Sequence, residues 1–139
     1  MSRKLARETA MTLIYQMDLN NSKASEVLDN FFENNDTEFE SDDVEYIKSC
    51  VSGVEENLNM VNSYIEKYLK SGWKIGRISK VDLAILRLGI YEMLLRDDVP
   101  PKVAVNEAVE IAKKYSTEES KAFINGILGN IIREIKDNA

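Results

Sequence analysis

A short basic segment at the amino terminus offers the clearest binding chemistry in this sequence. Arg3, Lys4 and Arg7 occur there, and the first seven residues contain no acid. On a helix that turns by about 100° per residue, one sector beside the apolar face holds Lys4, Arg7, Met11 and Tyr15. Such a stripe can bind a phosphate backbone at its basic end and dock a protein at its aromatic end. The alternative is that Tyr15 packs at the margin of the core while Lys4 and Arg7 are merely solvated.

The residue types used for nucleophilic and metal chemistry are scarce. The sequence contains no histidine, which excludes Ser–His and Cys–His pairs and removes the commonest zinc ligand. It also contains no glycine-rich phosphate loop and no Cys-x-x-Cys motif. Adjacent acids at 42–43, 97–98 and 118–119 fall at predicted helix ends or loops. An acid near the amino terminus of a helix stabilises it by interacting with the helix dipole. We therefore expect no catalytic residue, no cofactor and no metal.

The single cysteine and the absence of long apolar runs bear on the compartment. Cys50 cannot form an internal disulfide, and its position beside an apolar stripe predicts a small buried hydrophobic side chain. No apolar run has transmembrane length, and no signal-peptide core follows Met1. We expect a cytoplasmic protein without a membrane segment.

The net charge of −6 is unusual for a protein that binds nucleic acid, so the distribution of charge matters. Residues 26–45 hold nine acids and no basic residue, whereas residues 73–139 hold 11 basic and 10 acidic residues. A polyanion is repelled by the acidic segment. This leaves the amino-terminal helix and the second half of the chain as candidate binding faces.

The elements that must position these side chains are predicted to be helices, since only two prolines and six glycines interrupt 139 residues. The helix through Leu58 either breaks near Asn57–Asn59 and resumes, or continues through Leu69. We also expect an irregular connector with two apolar anchors at Trp73–Ile78, and close helix packing at Gly126 and Gly129. Predicted caps are Asp42 with Glu45, Ser79, and Ser116 with Glu119. Five predicted helices cover about Ser2–Leu19, Ser25–Glu33, Asp42–Leu58, Met60–Leu69 and Ser79–Leu95. A sixth begins between Pro101 and Asn106, and the last one runs through Ile135.

The helix that begins after Ser79 is apolar in every direction, so other helices must enclose it. It nevertheless carries Asp82, Arg87 and Glu92, and a buried charge needs a partner. We expect Arg87 and Glu92 to pair with the following helix, through Glu107 or Lys102. Asp82 is expected to face outward, toward another molecule.

The predicted architecture is all-α, with about seven helices in two small helical bundles packed together. The chain is the length of one domain, 1–139, and we divide it into subdomains at about 1–72 and 73–139.

Several long motifs occur in a fixed order from one end of the chain to the other. They are Arg3–Ala10, Leu13–Gln16, Ile85–Glu92, Val99–Lys113 and Phe123–Leu128. Together they resemble the NusB family of transcription antitermination factors, with the acidic region 20–60 the least diagnostic part.

The resemblance implies a partner, a ligand and a set of contact residues. NusB proteins pair with the ribosomal protein NusE, bind boxA RNA and act in the transcription elongation complex to support read-through in ribosomal RNA operons. On this resemblance, the RNA-binding residues are Arg3, Lys4, Arg7, Glu119, Ser120 and Phe123, and the partner-binding residues are Tyr15 and Asp82. An exposed aromatic at Phe123 can stack on a base.

The sequence departs from the family pattern at two positions. Ala122 stands where the family often has lysine, and Lys121 beside it is expected to compensate. Gly129 stands where an aspartate is common, and we expect this change to affect packing.

Other classes of function stay open at this point. A scaffold without RNA contact would not depend on Arg3, Lys4 and Arg7. The helical accessory domain of ribosomal RNA cytosine methyltransferases is similar, but on length we expect no catalytic half here. A helical domain without a partner would leave no use for the Lys4–Tyr15 stripe, and the free protein is either a monomer or a homodimer that hides its RNA face.

Overall fold

The computed structural model describes residues 2–138, which form seven α-helices, a 3-10 turn at Ile75–Arg77 and no strand. The prediction of an all-helical chain with about seven helices is confirmed. The helices are α1 (Arg3–Asn20), α2 (Ala24–Asn34), α3 (Ser41–Glu56), α4 (Leu58–Lys67), α5 (Lys80–Leu95), α6 (Pro101–Tyr115) and α7 (Glu118–Asp137).

The starts of the helices follow local hydrogen bonding. Ser79 caps α5 as predicted, since its side chain accepts from the backbone N–H of Asp82. The capping box predicted at Asp42 is wrong, because the amide of Asp43 already donates to the carbonyl of Glu40 and α3 has begun by Ser41.

The cap predicted at Ser116 is wrong by one residue. Thr117 caps α7 by accepting from the backbone N–H of Ser120. The hydroxyl of Ser116 donates instead to the carboxylate of Asp82 on α5.

Helix α5 is the central element of the molecule, as its all-round apolar pattern predicts. Twelve of its 16 residues are buried, and it packs against α1, α3, α4, α6 and α7. The buried hydrophobic residues of both halves form one continuous core around it. The division into subdomains at about residue 72 stays a prediction.

Close packing at glycine occurs at other positions than the two predicted. A Cβ atom at Gly53 would lie 2.1 Å from Tyr91 Cε1, so α3 and α5 can approach here only because the side chain is missing. The predicted close approach at Gly126 and Gly129 is wrong. A Cβ at Gly126 would meet no atom within 4 Å, and one at Gly129 would meet only the Arg133 guanidinium at 3.8 Å.

Cys50 lies fully buried on α3, in agreement with its predicted role as a small hydrophobic residue. Burial raises the pKa of its thiol to about 12, so the group stays protonated at neutral pH. None of the helices within residues 2–138 has the length and apolar character needed to cross a membrane.

Candidate nucleic-acid interface

The three basic residues of the amino-terminal segment have three different environments. Arg7 is only 6% exposed and donates to both carboxylate oxygens of Glu92, through Nε at 2.9 and 3.2 Å and through Nη2 at 2.9 Å. Burial disfavours the charged guanidinium, but the hydrogen bonds and charge of Glu92 outweigh this and raise the pKa of Arg7. The expectation that Arg7 lies beside the apolar face is wrong, because it faces inward to neutralise a buried acid.

Arg3 is partly exposed and held against α3. Its Nε donates to Asp43 at 2.9 Å, and its guanidinium carbon lies 4.3 Å from the centre of the Tyr46 ring. The guanidinium groups of Arg7 and Arg96 also approach that ring, at 5.6 and 5.0 Å. The cation–π contacts of Arg3 and Arg7 help to hold the start of α1 against α3.

Lys4 is exposed and makes no ion pair within residues 2–138. Met11 is 3% exposed, so the predicted surface stripe is interrupted in its middle. Tyr15 is half-buried and packs at the margin of the core. Among the four stripe residues, all of which the structure describes, Lys4 is therefore the cation available to bind a phosphate.

A second buried acid ties α1 to the end of α6. Glu8 is 5% exposed and accepts from the Lys114 ammonium at 2.8 Å and from the Tyr115 hydroxyl at 2.7 Å. Burial would raise the pKa of Glu8, but these hydrogen bonds and the charge of Lys114 lower it below its usual range. Since α7 begins three residues after Tyr115, this contact connects the amino-terminal segment to the start of α7.

The other charged residues of α5 also pair outside the helix that follows. Arg87 donates to Asn62 at 3.1 Å and lies 3.5 Å from Asp18. The predicted partners of Arg87 and Glu92 on α6 are wrong as main contacts, because α1 supplies the opposite charge in both cases. Glu107 contributes only a longer contact to Arg7, at 3.7 Å.

Asp82 holds the first turn of α7 against α5. It is 6% exposed, and its two carboxylate oxygens accept from the hydroxyls of Ser116 and Ser120 at 2.7 and 2.6 Å. The expectation that Asp82 faces outward is wrong, because both oxygens are occupied within the chain. Its role as a partner contact stays a prediction.

The start of α7 brings the three remaining predicted contact residues onto one surface. Glu119 is exposed, Ser120 is bound to Asp82, and Phe123 is half-buried one turn later. They line a groove of about 240 Å³ that also contains Trp73 and Arg77. The structure thus brings Glu119, Ser120, Phe123 and Asp82 together.

The sequence interpretation missed Trp73, which it assigned to a connector with apolar anchors. Trp73 is 46% exposed, and the Arg77 guanidinium carbon lies 5.7 Å from its ring centre. The signal that could have found it is the absence of any acid between Lys67 and Val81. An exposed aromatic within a basic segment is typical of a surface that binds single-stranded nucleic acid.

Comparison with known proteins identifies the family. Residues 4–133 match the NusB family. The transcription antitermination protein NusB of Clostridium novyi is 49% identical over 96% of this chain and 99% of its own length. That of Acetivibrio thermocellus is 53% identical over 96% of this chain and 90% of its own length.

Solved structures agree with this assignment. The structure of antitermination factors NusB and NusE in complex with double-stranded RNA contains a chain that superposes with a TM-score of 0.84 and 30% identity. The match covers 95% of this chain and 96% of that one. The chain therefore belongs to the NusB family, as the sequence motifs predict.

Proposed function

We propose that this protein is a transcription antitermination factor that binds boxA RNA together with NusE and supports read-through in ribosomal RNA operons. Family membership and the solved complex of NusB and NusE with RNA support this function. The observation that carries it is the start of α7, where Asp82 fixes Ser120 and leaves Phe123 beside the exposed Trp73. A half-exposed aromatic on a fixed turn, next to cations, is suited to stacking on an RNA base.

The proposed RNA contacts fall into two groups. Lys4, with Arg3 beside it, binds phosphate at the start of α1. Arg7 does not face the RNA, but its buried ion pair with Glu92 holds this segment in place. Ser120, Glu119 and Phe123 contact the RNA at the start of α7.

The proposed partner surface for NusE includes Tyr15 on α1. Asp82 acts at the edge of this surface, and its buried carboxylate also holds α7. An acidic chain suits a basic ribosomal protein as partner, because opposite charges speed association. The chain acts without catalysis, in the cytoplasm, as a component of the transcription elongation complex.

The test is a mobility-shift titration of labelled boxA RNA with this protein, with NusE, and with both. We expect the mixture to bind more tightly than either protein alone, and an RNA with a scrambled sequence to bind more weakly. If the mixture forms a protein complex that never shifts RNA, the chain is a scaffold without RNA contact and the proposal is wrong.

The partner surface is tested separately by calorimetric titration with NusE in the absence of RNA. Tyr15→Asp should weaken NusE binding, because it introduces a charge into the contact. Tyr64→Asp is a matched control, because Tyr64 is also a half-buried tyrosine at the margin of the core but lies on α4. Equal affinity of Tyr15→Asp and the wild type would place NusE on another face.

Sedimentation of the free chain, with and without RNA, detects a homodimer that RNA dissociates.

A further inference from the structure

The segment that joins α4 to α5 is rich in positive charge, although the protein is acidic overall. Residues 67–80, here called the basic connector, contain no acid and five cations: Lys67, Lys70, Lys74, Arg77 and Lys80. Lys67 pairs with Glu134 and Lys80 pairs with Asp18. The other three cations are exposed and form no ion pair with any residue of 2–138.

An exposed tryptophan lies in the middle of these free cations. Trp73 is 46% exposed, although burial of a tryptophan side chain normally stabilises a folded protein. Lys70 and Lys74 flank it in sequence, and Arg77 lies over its ring. A positively charged path with an accessible aromatic is the arrangement by which proteins bind single-stranded nucleic acid.

Trp73 and Phe123 are shared by two adjacent grooves, which makes the basic connector continuous with the proposed contact at the start of α7. The larger groove has a volume of about 370 Å³ and is lined also by Tyr68, Gly126 and Asn130. A cavity of about 150 Å³ already accommodates benzene, so this groove has room for a nucleobase.

The charges around the larger groove favour a polyanion. No acid among residues 2–138 lines it, and Lys70 lies on its wall. The nearby carboxylate of Glu134 is occupied by Lys67 at 2.6 Å and by the Tyr68 hydroxyl. The side-chain NH2 of Asn130 supplies a donor for the edge of a base, while its oxygen accepts from the Arg133 guanidinium.

We infer that the basic connector and the first turns of α7 form a subsite for an unpaired RNA base, which stacks on Trp73 in the larger groove while Lys70, Lys74 and Arg77 bind the adjacent phosphates. This subsite rests on the proposed function, because it extends the same RNA site beyond Phe123. The subsite binds an unpaired base, so a fully paired duplex does not occupy it.

The experiment uses the fact that Trp73 is the only tryptophan of the chain. The intact protein with NusE is titrated with boxA RNA, and the anisotropy of the labelled RNA and the tryptophan emission are recorded in parallel. Trp73→Phe provides the background emission of NusE. Quenching of Trp73 that follows the anisotropy curve supports the subsite, and a duplex of the same sequence should quench it less. RNA binding with unchanged Trp73 emission overturns the subsite and leaves the proposed function intact, whereas absence of RNA binding overturns the proposed function itself.

Substitutions test the stacking and the groove independently of fluorescence. Trp73→Ala should weaken RNA binding roughly 5- to 150-fold, the range for loss of one stacked base, while Trp73→Phe retains most of the affinity. Gly126→Leu should weaken it too by filling the groove, and Gly126→Ala is the control, since its added Cβ meets open space. Unchanged affinity in Trp73→Ala and Gly126→Leu overturns the subsite. Weakened binding of NusE with unchanged binding of RNA overturns it also, and assigns the groove to a protein.

The three free cations are tested by salt dependence. Changing Lys70, Lys74 and Arg77 to Gln should reduce the slope of log affinity against log salt by about 0.7 for each phosphate that is no longer bound. Lys113→Gln is the control, because Lys113 is an exposed lysine already paired with Glu110 on α6. An unchanged slope in the triple variant excludes phosphate binding by the basic connector.

Discussion

Arg7 on α1 and Glu92 on α5 form a bidentate ion pair in which both side chains are almost fully buried. The pair joins the first helix to the central helix across 85 residues of sequence. Glu92 depends on Arg7, since without it the buried carboxylate would lack both water and its counter-ion. The pair therefore fixes the start of α1, on which the exposed Lys4 is carried.

This arrangement predicts that Arg7 and Lys4 respond differently to the same substitution. Arg7→Ala leaves Glu92 buried without a partner and should lower the free energy of unfolding by about 3–5 kcal/mol. Lys4→Ala should change it by less than about 0.5 kcal/mol, because Lys4 is exposed. Urea unfolding measures both. If Arg7→Ala unfolds at the wild-type midpoint, the ion pair contributes nothing to stability and Arg7 becomes a candidate for direct contact with RNA.

A second prediction concerns RNA binding by the amino-terminal segment. Lys4→Ala should reduce the salt slope of boxA binding by about 0.7, the value for one phosphate contact on a single strand. Arg3→Ala should have a smaller effect on the slope, because Asp43 already neutralises part of its charge. Measurements of affinity at several salt concentrations test this. A slope that Lys4→Ala leaves unchanged removes the start of α1 from the RNA site.

A third prediction follows from the two hydroxyl groups that Asp82 holds. Asp82→Ala should free the first turn of α7 and weaken RNA binding even when NusE is absent. Ser120→Ala should have part of this effect, and the double variant should fall short of the sum, with a coupling of about 1–2 kcal/mol. Ser116→Ala is the control, since Ser116 binds the same carboxylate from outside α7. Asp82→Ala that loses affinity only for NusE would show that this carboxylate serves the partner.

How much the sequence predicts depends on whether the interaction is local. The helices and the cap at Ser79 follow from hydrophobic period and from side chains within four residues, and the structure agrees with them, although the caps predicted at Asp42 and Ser116 are displaced by one or two residues. The partner of Arg7 lies 85 residues away, so its type and spacing suggested a surface cation. Arg87 was assigned to the wrong helix for the same reason, since Asp18 reaches it only through tertiary packing.

The candidate site shows the same limit in two residues. The sequence predicts an outward-facing Asp82, whereas Ser116 and Ser120, 34 and 38 residues away, donate to it through tertiary packing. The apolar pattern predicts only a connector with apolar anchors at Trp73–Ile78, whereas Trp73 is exposed and the segment around it contains no acid. Charge pattern was the better guide at this position than hydrophobicity.

The last prediction concerns the dependence of stability on pH. The pKa of Glu8 lies below its ordinary value of 4.5 in the folded protein, because Lys114 and Tyr115 donate hydrogen bonds to the ionised carboxylate and outweigh its burial. A carboxyl with a lowered pKa stabilises the fold at pH values above 4.5, and this contribution is lost as the pH falls through the folded value. Glu8→Gln lacks the contribution at every pH. The variant should therefore be less stable than the wild type by about 1 kcal/mol at pH 7, a modest value because the Lys114 ammonium is exposed to solvent.

The difference between the two proteins should be constant from pH 7 to about pH 6 and should shrink below about pH 4.5. Chemical denaturation at a series of pH values measures it. Glu110→Gln is the matched control, because Glu110 also has a lowered pKa through a lysine, Lys113, but lies fully exposed on the outside of α6. Its effect on stability should be close to zero throughout the same range. A Glu8→Gln difference that persists unchanged below about pH 4 would mean that packing of the side chain, and not its charge, ties α1 to α6.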